Sequence, residues 1–204
     1  MTEQEVLKIF KAERALLSGH FLLSSGLHSP NYMQCALLFQ KPWIAEKLCV
    51  GLAKKFKGRK FDAVIGPALG GILISYEMGR VLKTRSIFAE RSDGNFGLRR
   101  GFSLKKNERV LVVEDVVTTG KSSYEVISLV ERHGAVVEAV GAIVDRSGGG
   151  AVFTQDFHAL LKMEIKTYRP VECPLCAGGK IPLVKPGSRN FSMEHGAWSM
   201  ERKK

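Results

Sequence analysis

Two adjacent carboxylates, Glu114 and Asp115, follow four apolar residues, 110–113, and precede a turn rich in small hydroxyl residues. Four apolar residues of mainly β-branched type indicate a strand that is buried in a parallel sheet. The turn at residues 118–122 reads Thr-Thr-Gly-Lys-Ser and leads into a helical pattern. The sequence therefore predicts a strand, an acidic pair, a turn and a helix N-terminus in direct succession.

The chemistry of this stretch points to a ligand with two different parts. Backbone N–H groups in the turn, together with the positive end of the helix dipole, suit a phosphate. That phosphate would repel Glu114 and Asp115, so the carboxylates need another partner, and the hydroxyl groups of a ribose can donate hydrogen bonds to them. Ligands of open α/β sheets bind at the carboxyl ends of the strands. The pattern is typical of a 5-phosphoribosyl site; a buried strand with an acidic turn is the simpler alternative.

Residues 110–122 resemble the phosphoribosyl pyrophosphate (PRPP) signature of the type I phosphoribosyltransferases. The resemblance implies the α/β fold of that family, a central, mainly parallel sheet flanked by helices beside a small hood of N- and C-terminal segments. It implies one domain over residues 1–204. The hood is expected at roughly 1–40 plus part of 165–204, and the PRPP-binding core at roughly 41–164.

The same resemblance assigns contacts with PRPP to two turns. In the signature, the predicted contacts are Glu114, Asp115, Val116, Val117, Thr118, Thr119, Gly120, Lys121 and Ser122. The glycine-rich turn at 66–71 follows a predicted strand and is similar to the pyrophosphate loop, with Leu69 and Gly70 where some orotate enzymes carry Tyr-Lys. The resemblance also implies Mg²⁺, which would be held mainly through PRPP and not by protein ligands.

The polar segment 91–101 carries three arginines and three glycines after a predicted strand at 86–90. By resemblance it corresponds to a mobile loop that closes over PRPP. Arg91, Arg99 and Arg100 are the candidates for its positive charge, and Arg91 is predicted to be catalytic together with the acidic pair. A solvated hairpin with surface arginines is the alternative.

The segment 21–34 begins Phe-x-Leu-x-Ser-Gly-x-x-Ser-Pro, which is similar to the N-terminal segment of the orotate phosphoribosyltransferases. By position, Ser24 replaces a lysine that reaches the pyrophosphate in many members, so a contact with PRPP would use its hydroxyl group. Tyr32 and Met33 lie where members of the family cover the orotate ring and bind it through backbone groups.

Arg146 follows a predicted strand at 136–144 and an aspartate, where the orotate family has an arginine that pairs with the substrate carboxylate. A planar guanidinium group suits bidentate binding of a carboxylate. Thr118 is the other predicted orotate contact within the strand-end site. A surface arginine is the alternative interpretation of Arg146.

The resemblance therefore implies an Mg²⁺-dependent orotate phosphoribosyltransferase of pyrimidine biosynthesis, acting on PRPP and orotate as a homodimer. A purine or xanthine phosphoribosyltransferase would keep residues 114–122 but would not need Arg146. A PRPP-sensing, nucleic-acid-binding regulator is the alternative that is not an enzyme.

Composition sets limits on the class of protein. Of 204 residues, 45% are hydrophobic and 25% are charged, as in globular proteins. No apolar run reaches the roughly 20 residues that span a bilayer, and the N-terminus is acidic, so we expect a cytoplasmic protein without a membrane partner. The net charge of +11 comes from dispersed basic residues without an RNA-binding motif, so nucleic acid is not the expected partner.

Cys173-Pro-Leu-Cys176 has the spacing of a metal-binding or redox pair. Structural zinc normally takes four ligands, and the sequence has no second pair of this kind. His195 would raise the set to three, and ligands from a second subunit would have to complete it. A tight turn with reduced thiols is the favoured interpretation, and metal binding stays open.

Two local elements are also predicted. Thr2 and Glu5 fit a capping box, and apolar residues from Val6 to Leu17 predict a helix that ends at Gly19. Residues 151–153 predict a short strand.

Overall fold

The computed structural model describes residues 1–23 and 25–186. Within these residues the α-helices are α1 (Glu3–Ala12), α2 (Ala36–Phe39), α3 (Pro42–Ala53), α4 (Gly70–Leu82), α5 (Lys121–Arg132) and α6 (Pro174–Gly178). The strands are β1 (Leu16–Leu22), β2 (His28–Met33), β3 (Ala63–Pro67), β4 (Arg85–Ser92), β5 (Asn95–Leu98), β6 (Arg109–Val117), β7 (Val136–Asp145), β8 (Asp156–Lys162) and β9 (Leu183–Val184). Short 3-10 turns follow α3 and precede α6.

A six-stranded sheet forms the centre of the molecule, with the strand order β5-β4-β3-β6-β7-β8. All neighbouring pairs are parallel except β4 and β5. Parallel neighbours need crossover connections. Helix α4 connects β3 to β4, and helix α5 connects β6 to β7. The predicted α/β fold with a mainly parallel sheet is confirmed, and the carboxyl ends of β3, β6 and β7 meet at one edge.

Both faces of this sheet are covered by apolar side chains. On β6, Leu111 and Val113 belong to the cluster that includes α1, α3 and α4. Val110 and Val112 belong to the cluster on the opposite face, which includes α5. Because successive side chains of a strand point to opposite faces, an apolar run without alternation is what a strand covered on both sides requires.

A second, three-stranded sheet has the order β2-β1-β9. Strands β1 and β2 form an antiparallel hairpin. Strand β9 pairs with β1 in parallel over two residues only, His20 with Leu183 and Phe21 with Val184. This sheet therefore joins segments from near the two ends of the described chain, where the hood was predicted.

The first helix is shorter than predicted. The capping box is present, since Glu5 N donates to Thr2 Oγ1 (3.3 Å) and Thr2 N donates to Glu5 Oε2 (2.7 Å). The helix ends at Ala12, however, and Arg14 has φ 54°. Leu16 consequently lies in β1 opposite Met33, and Gly19 is inside that strand. The apolar residues near position 16 fit both the helical and the strand periodicity, and pairing with β2 selects the strand.

The strand predicted at 151–153 is also wrong, because the next strand is β8, which begins at Asp156. Ala151 and Phe153 instead lie beside Gly120, where a Cβ atom would be 3.2 Å from Ala151 Cβ and 3.3 Å from Phe153 Cζ. These apolar residues support the turn after β6. None of the described helices combines the length and the apolar character that crossing a membrane requires.

Candidate active site

The acidic pair lies near the carboxyl end of strand β6, which continues through Val117. Both side chains are partly buried. Ser123 Oγ, in the first turn of α5, donates a hydrogen bond of 2.6 Å to Glu114 Oε2. Val116 N donates one of 2.9 Å to Asp115 Oδ1. The strand and the following helix thus fix both carboxylates at the carboxyl edge of the sheet.

Burial changes the acidity of this pair. Burial, as the largest cause, and the neighbouring charge of Asp115 raise the pKa of Glu114 to about 7. The hydrogen bond from Ser123 and the positive charge of Arg91 act in the opposite direction. Burial also raises the pKa of Asp115, against the backbone N–H groups that donate to its carboxylate. Two desolvated carboxylates are stabilised when a ligand brings hydrogen-bond donors or positive charge.

The raised pKa of Glu114 gives a pH prediction with a definite sign. The pKa rises from 4.5 to about 7 on folding, so the folded state retains a proton that the unfolded state loses between these values. The free energy of unfolding therefore falls as pH rises through this window. Because Ser123 stabilises the ionised form, Ser123→Ala should raise the pKa further and move the acidic limb of the kcat/KM profile for PRPP to higher pH.

The measurement is kcat/KM against pH for both proteins in the same buffers, so that titration of the substrate itself cancels. Ser128→Ala, an exposed serine of the same helix, is the matched control and should leave the profile in place. An unchanged or downward-shifted limb in Ser123→Ala would contradict the role of this hydrogen bond.

The turn between β6 and α5 has the backbone form that a phosphate site needs. Gly120 has φ 76° and directly precedes α5. A Cβ atom there would lie 2.9 Å from the Tyr124 ring, so close packing as well as conformation requires glycine. Thr118 and Thr119 are exposed, and Lys121 N lies 3.4 Å from Thr119 Oγ1. The turn presents hydroxyl and N–H groups at the positive end of a twelve-residue helix.

The glycine-rich turn after β3 lies against the acidic pair. A Cβ atom on Gly70 would be only 2.7 Å from Asp115 Oδ1, and one on Gly66 would be 2.3 Å from the Gly71 carbonyl oxygen. The Ala68–Leu69 peptide is cis, the Leu69 side chain is exposed, and α4 begins at Gly70, within the predicted turn at 66–71. The structure therefore brings the two predicted PRPP turns together, through backbone and not through a side-chain cation.

Gly70→Ala tests this close approach. The added methyl group would displace the Asp115 carboxylate. Because a misplacement of about 1 Å at a reacting group can lower the rate by up to a hundredfold, we expect kcat/KM for PRPP to fall about tenfold. Alanine favours helix over glycine, so α4 itself is not weakened. Gly178→Ala, where a Cβ atom meets nothing within 4 Å, is the control for steady-state kinetics. Full activity of Gly70→Ala would show that the carboxylate tolerates displacement.

The segment 91–101 is not an irregular loop. Strands β4 and β5 form a hairpin in which Arg91 pairs with Phe96 and Ser92 with Asn95. Asp93 and Gly94 at its tip both have positive φ, 52° and 85°, as a type I′ turn requires. The hairpin of the alternative interpretation is therefore present over β4 and β5, and the Asp-Gly pair at its tip is a sequence signal for it. Closure of this segment over PRPP stays a prediction.

The three arginines of this segment have different surroundings. Arg91 forms an ion pair with Glu125 of α5, donates to the Gly94 carbonyl (2.6 Å) and has its Cζ atom 4.0 Å from the centre of the Phe96 ring. Its charge also reaches Glu114. Arg100 is paired with Glu90 (2.6 Å), and Arg99 is exposed. Arg91 is therefore the arginine of this segment that the structure places beside the acidic pair.

Arg146 lies directly after β7, beside the end of β6, where its backbone N–H donates to the Val117 carbonyl (2.8 Å). Desolvation lowers the pKa of its guanidinium group, and the nearby Cys35 and Tyr32 side chains raise this pKa by a smaller amount. Its Nε atom is buried and has no hydrogen-bond partner within residues 1–23 and 25–186. A buried donor of this kind favours an anionic ligand that would accept from it.

Tyr32 shares this environment, since the charges of both Arg146 and Asp115 affect the pKa of its hydroxyl, which burial raises. Its ring packs against Phe21 at 5.7 Å between centroids. The Met33 side chain is buried in the core, so only its backbone is available to a ligand. Ser24 lies outside the described residues. Sequence analysis missed Ser123, which only the distance from Glu114 reveals.

The chain is similar to known proteins over most of its length. Residues 44–157 match the family described as "Phosphoribosyl transferase domain". The chain is 55% identical over 187 residues to an orotate phosphoribosyltransferase of Carboxydothermus hydrogenoformans, covering 91% of this chain and 97% of that protein. It is 55% identical over 191 residues to that of Caldanaerobacter subterraneus subsp. tengcongensis, covering 94% and 100%. The crystal structure of orotate phosphoribosyltransferase from Aeropyrum pernix superposes with a TM-score of 0.66 at 26% identity, covering 78% of this chain and 93% of that one.

Proposed function

We propose, because the chain belongs to the orotate phosphoribosyltransferase family, that it transfers the 5-phosphoribosyl group of PRPP to orotate. The products are orotidine 5′-monophosphate and pyrophosphate, in pyrimidine biosynthesis. The observation that carries the choice of orotate is Arg146 at the end of β7 beside Tyr32, a partly buried guanidinium group whose Nε has no hydrogen-bond partner in the described part of the chain. A substrate carboxylate is the group that satisfies it.

The reaction breaks the bond between the anomeric carbon and a pyrophosphate oxygen, and it forms a bond from that carbon to a ring nitrogen of orotate. The anomeric carbon gains positive charge as the electron pair leaves with pyrophosphate. Glu114 and Asp115 accept hydrogen bonds from the ribose hydroxyls and stabilise that charge. The turn at 118–122 holds the 5′-phosphate, which fixes the sugar for in-line attack. The ring nitrogen of orotate is itself the nucleophile, so no protein nucleophile is needed, and the proton that this nitrogen loses can pass to the departing pyrophosphate.

Mg²⁺ is part of the proposal as an ion delivered with PRPP. The residues present fit it, because the free carboxylate oxygens at the strand end are of the hard type that Mg²⁺ prefers, and Asp115 is desolvated with only backbone donors opposing the rise of its pKa. The ion would neutralise charge on the pyrophosphate leaving group. Glu114 and Asp115 would orient the ribose hydroxyls. Water and PRPP oxygens would supply most of the ligands of Mg²⁺.

The β4–β5 hairpin supplies the cover over PRPP in this proposal. Among the three arginines of segment 91–101, Arg91 is the one whose charge affects Glu114. Its partner Glu125 belongs to α5, the helix whose N-terminus would hold the phosphate. Exchange of Glu125 for a pyrophosphate oxygen would bring the positive charge of Arg91 onto the leaving group. Closure of the hairpin would exclude water and prevent hydrolysis of PRPP.

A homodimer and a cytoplasmic location complete the proposal. Leu73 and Tyr76 on α4, and Leu69 directly before this helix, lie at helical spacing with exposures of 51%, 68% and 82%, and Trp43 on α3 is 65% exposed. An apolar stripe of this kind supports burial against a second copy. The four cysteines all lie in the described chain and form no disulfide there, which supports a reducing compartment.

The deciding experiment measures pyrophosphate release from PRPP and Mg²⁺ with orotate, adenine, hypoxanthine, guanine or xanthine as the acceptor. We expect turnover with orotate alone. Turnover with a purine and none with orotate would overturn the proposed substrate and leave the phosphoribosyl chemistry in place. PRPP-dependent binding of nucleic acid without any turnover would favour a regulator instead.

A further inference from the structure

Four side chains that sequence analysis did not bring together converge in the small sheet. They are His20 of β1, His28 of β2, and Cys173 and Cys176 at the start of and within α6. Their candidate ligand atoms all lie within 4.8 Å of one another. Sequence analysis favoured a tight turn with reduced thiols and left metal binding open. The structure places the cysteine pair beside two histidines about 150 residues away in sequence, and His195 lies outside the described residues.

The distances within this cluster are those of a coordination shell. His20 Nε2 lies 3.0 Å from His28 Nδ1, 3.5 Å from Cys173 Sγ and 3.6 Å from Cys176 Sγ, and Cys176 Sγ lies 3.2 Å from His28 Nδ1. Tetrahedral zinc with bonds of about 2.0–2.1 Å to nitrogen and 2.3 Å to sulfur places its ligand atoms about 3.3–3.8 Å apart. The observed edges lie close to this range.

Hydrogen bonding alone does not account for the arrangement. His20 Nδ1 lies 3.2 Å from the Ile181 carbonyl oxygen, which can only accept, so Nδ1 carries the proton and Nε2 presents its lone pair to the cluster. Three groups, two thiols and the other imidazole, then point at that one lone pair. If His28 Nδ1 carries a proton, it competes with the thiols for that lone pair; if it does not, two nitrogen lone pairs face each other at 3.0 Å. A cation at the centre serves all four atoms in either case. The Ile181 contact also orients the ring as outer-shell carbonyls do at metal sites.

We propose that His20, His28, Cys173 and Cys176 bind one zinc ion as a structural site. Two thiolates and two neutral imidazoles form a Cys₂His₂ set with balanced charge, and a complete set of four protein ligands leaves no position for a substrate. Three of the four residues are buried. Sulfur and imidazole ligands select zinc over magnesium, so this site is distinct in chemistry from the PRPP site.

The packing of the C-terminal segment explains what the ion would do. Between residues 170 and 186, Cys173 is the buried residue, and Val171, Ile181, Leu183 and Val184 are exposed by 91%, 44%, 44% and 41%. Strand β9 adds only two paired residues. A segment with so little apolar burial needs another source of stability, and a metal site supplies it where a core does not.

The test begins with the full-length protein, stripped of metal by a chelator under reducing conditions and titrated with Co²⁺. We expect thiolate-to-cobalt charge-transfer absorption and an intense visible band typical of tetrahedral cobalt, saturating at about one ion per chain, followed by displacement with Zn²⁺. Absence of the charge-transfer absorption would overturn the proposal without any variant. Saturation at one ion per two chains would place the ion between subunits and would also overturn it.

Variants then assign the ligands. Cys176→Ser changes the exposed member of the set and should abolish most of the charge-transfer absorption and the tight binding of zinc. Cys49→Ala, a buried cysteine outside the cluster, should bind the metal like the natural protein. A Cys176→Ser protein that retains stoichiometric zinc would overturn the ligand set. Metal content is read without turnover, so this test is independent of the proposed activity.

A second readout concerns the segment that the ion would hold. Removal of zinc should make residues 170–186 sensitive to limited proteolysis while the central sheet stays resistant. Restoring zinc should restore the protection, and magnesium should not. Equal cleavage of this segment with and without zinc would contradict a structural role.

Discussion

Replacing Asp115 with asparagine lowers kcat/KM for PRPP by about a hundredfold to a thousandfold, the usual cost of removing one group that stabilises transition-state charge. The amide keeps an oxygen that can accept from Val116 N, as Asp115 Oδ1 does at 2.9 Å. The side chain therefore keeps its position against the Gly70 turn, and only the negative charge is lost. Steady-state kinetics with varied PRPP at saturating orotate measures the loss.

The control for this substitution is Asp156→Asn. Asp156 begins β8, at the edge of the sheet opposite the acidic pair, and pairs with Arg59 (2.7 Å). The Asp156→Asn protein loses this surface ion pair, which contributes little to stability, and should keep full activity. Melting temperatures of both variants show whether folding is preserved. A folded Asp115→Asn protein with nearly natural kcat/KM would remove this carboxylate from the mechanism.

Replacing Arg146 with alanine weakens orotate binding about tenfold to a hundredfold, which corresponds to the loss of a charge-assisted hydrogen bond. The affinity for PRPP should change far less, because the phosphate and ribose groups are assigned to β6 and its turn. Calorimetric titration with each ligand separates the two effects. Loss of a desolvated guanidinium group whose Nε has no hydrogen-bond partner among the described residues should leave the melting temperature of the ligand-free protein unchanged or higher.

Two further variants sharpen the result for Arg146. Arg146→Lys keeps the charge but loses the planar fork, so its orotate affinity should lie between those of the natural protein and the alanine variant. Arg59→Ala, at the other edge of the sheet, should change neither affinity. Equal losses for orotate and PRPP in Arg146→Ala would argue against a carboxylate contact.

The part of the site that could be predicted from sequence is the part whose determinants are local. The run 110–113 is buried on both faces, and Gly120 has the positive φ that its turn needs. The acidic pair stands between them in the chain. Strand, turn and helix therefore follow from residues within one short window, and the structure places them together at the sheet edge.

The rest depends on contacts between distant segments. The close approach of Gly70 to Asp115 joins two turns that are far apart in sequence. The end of α1 follows from pairing of Leu16 with Met33, which helical periodicity alone does not show. The cysteine pair finds its histidines through the pairing of β1 with β9. No local pattern contains these three contacts.

That pairing also sets the order in which the molecule can fold. His20 meets the Ile181 carbonyl across a separation of 161 residues, and closing so long a loop in an unfolded chain is entropically unfavourable. Formation of the central sheet between them shortens the effective loop. During synthesis the β1–β2 hairpin leaves the ribosome well before its partner β9, because all strands of the central sheet lie between them in the chain. The third strand of this sheet therefore becomes available only after every strand of the central sheet has been synthesised.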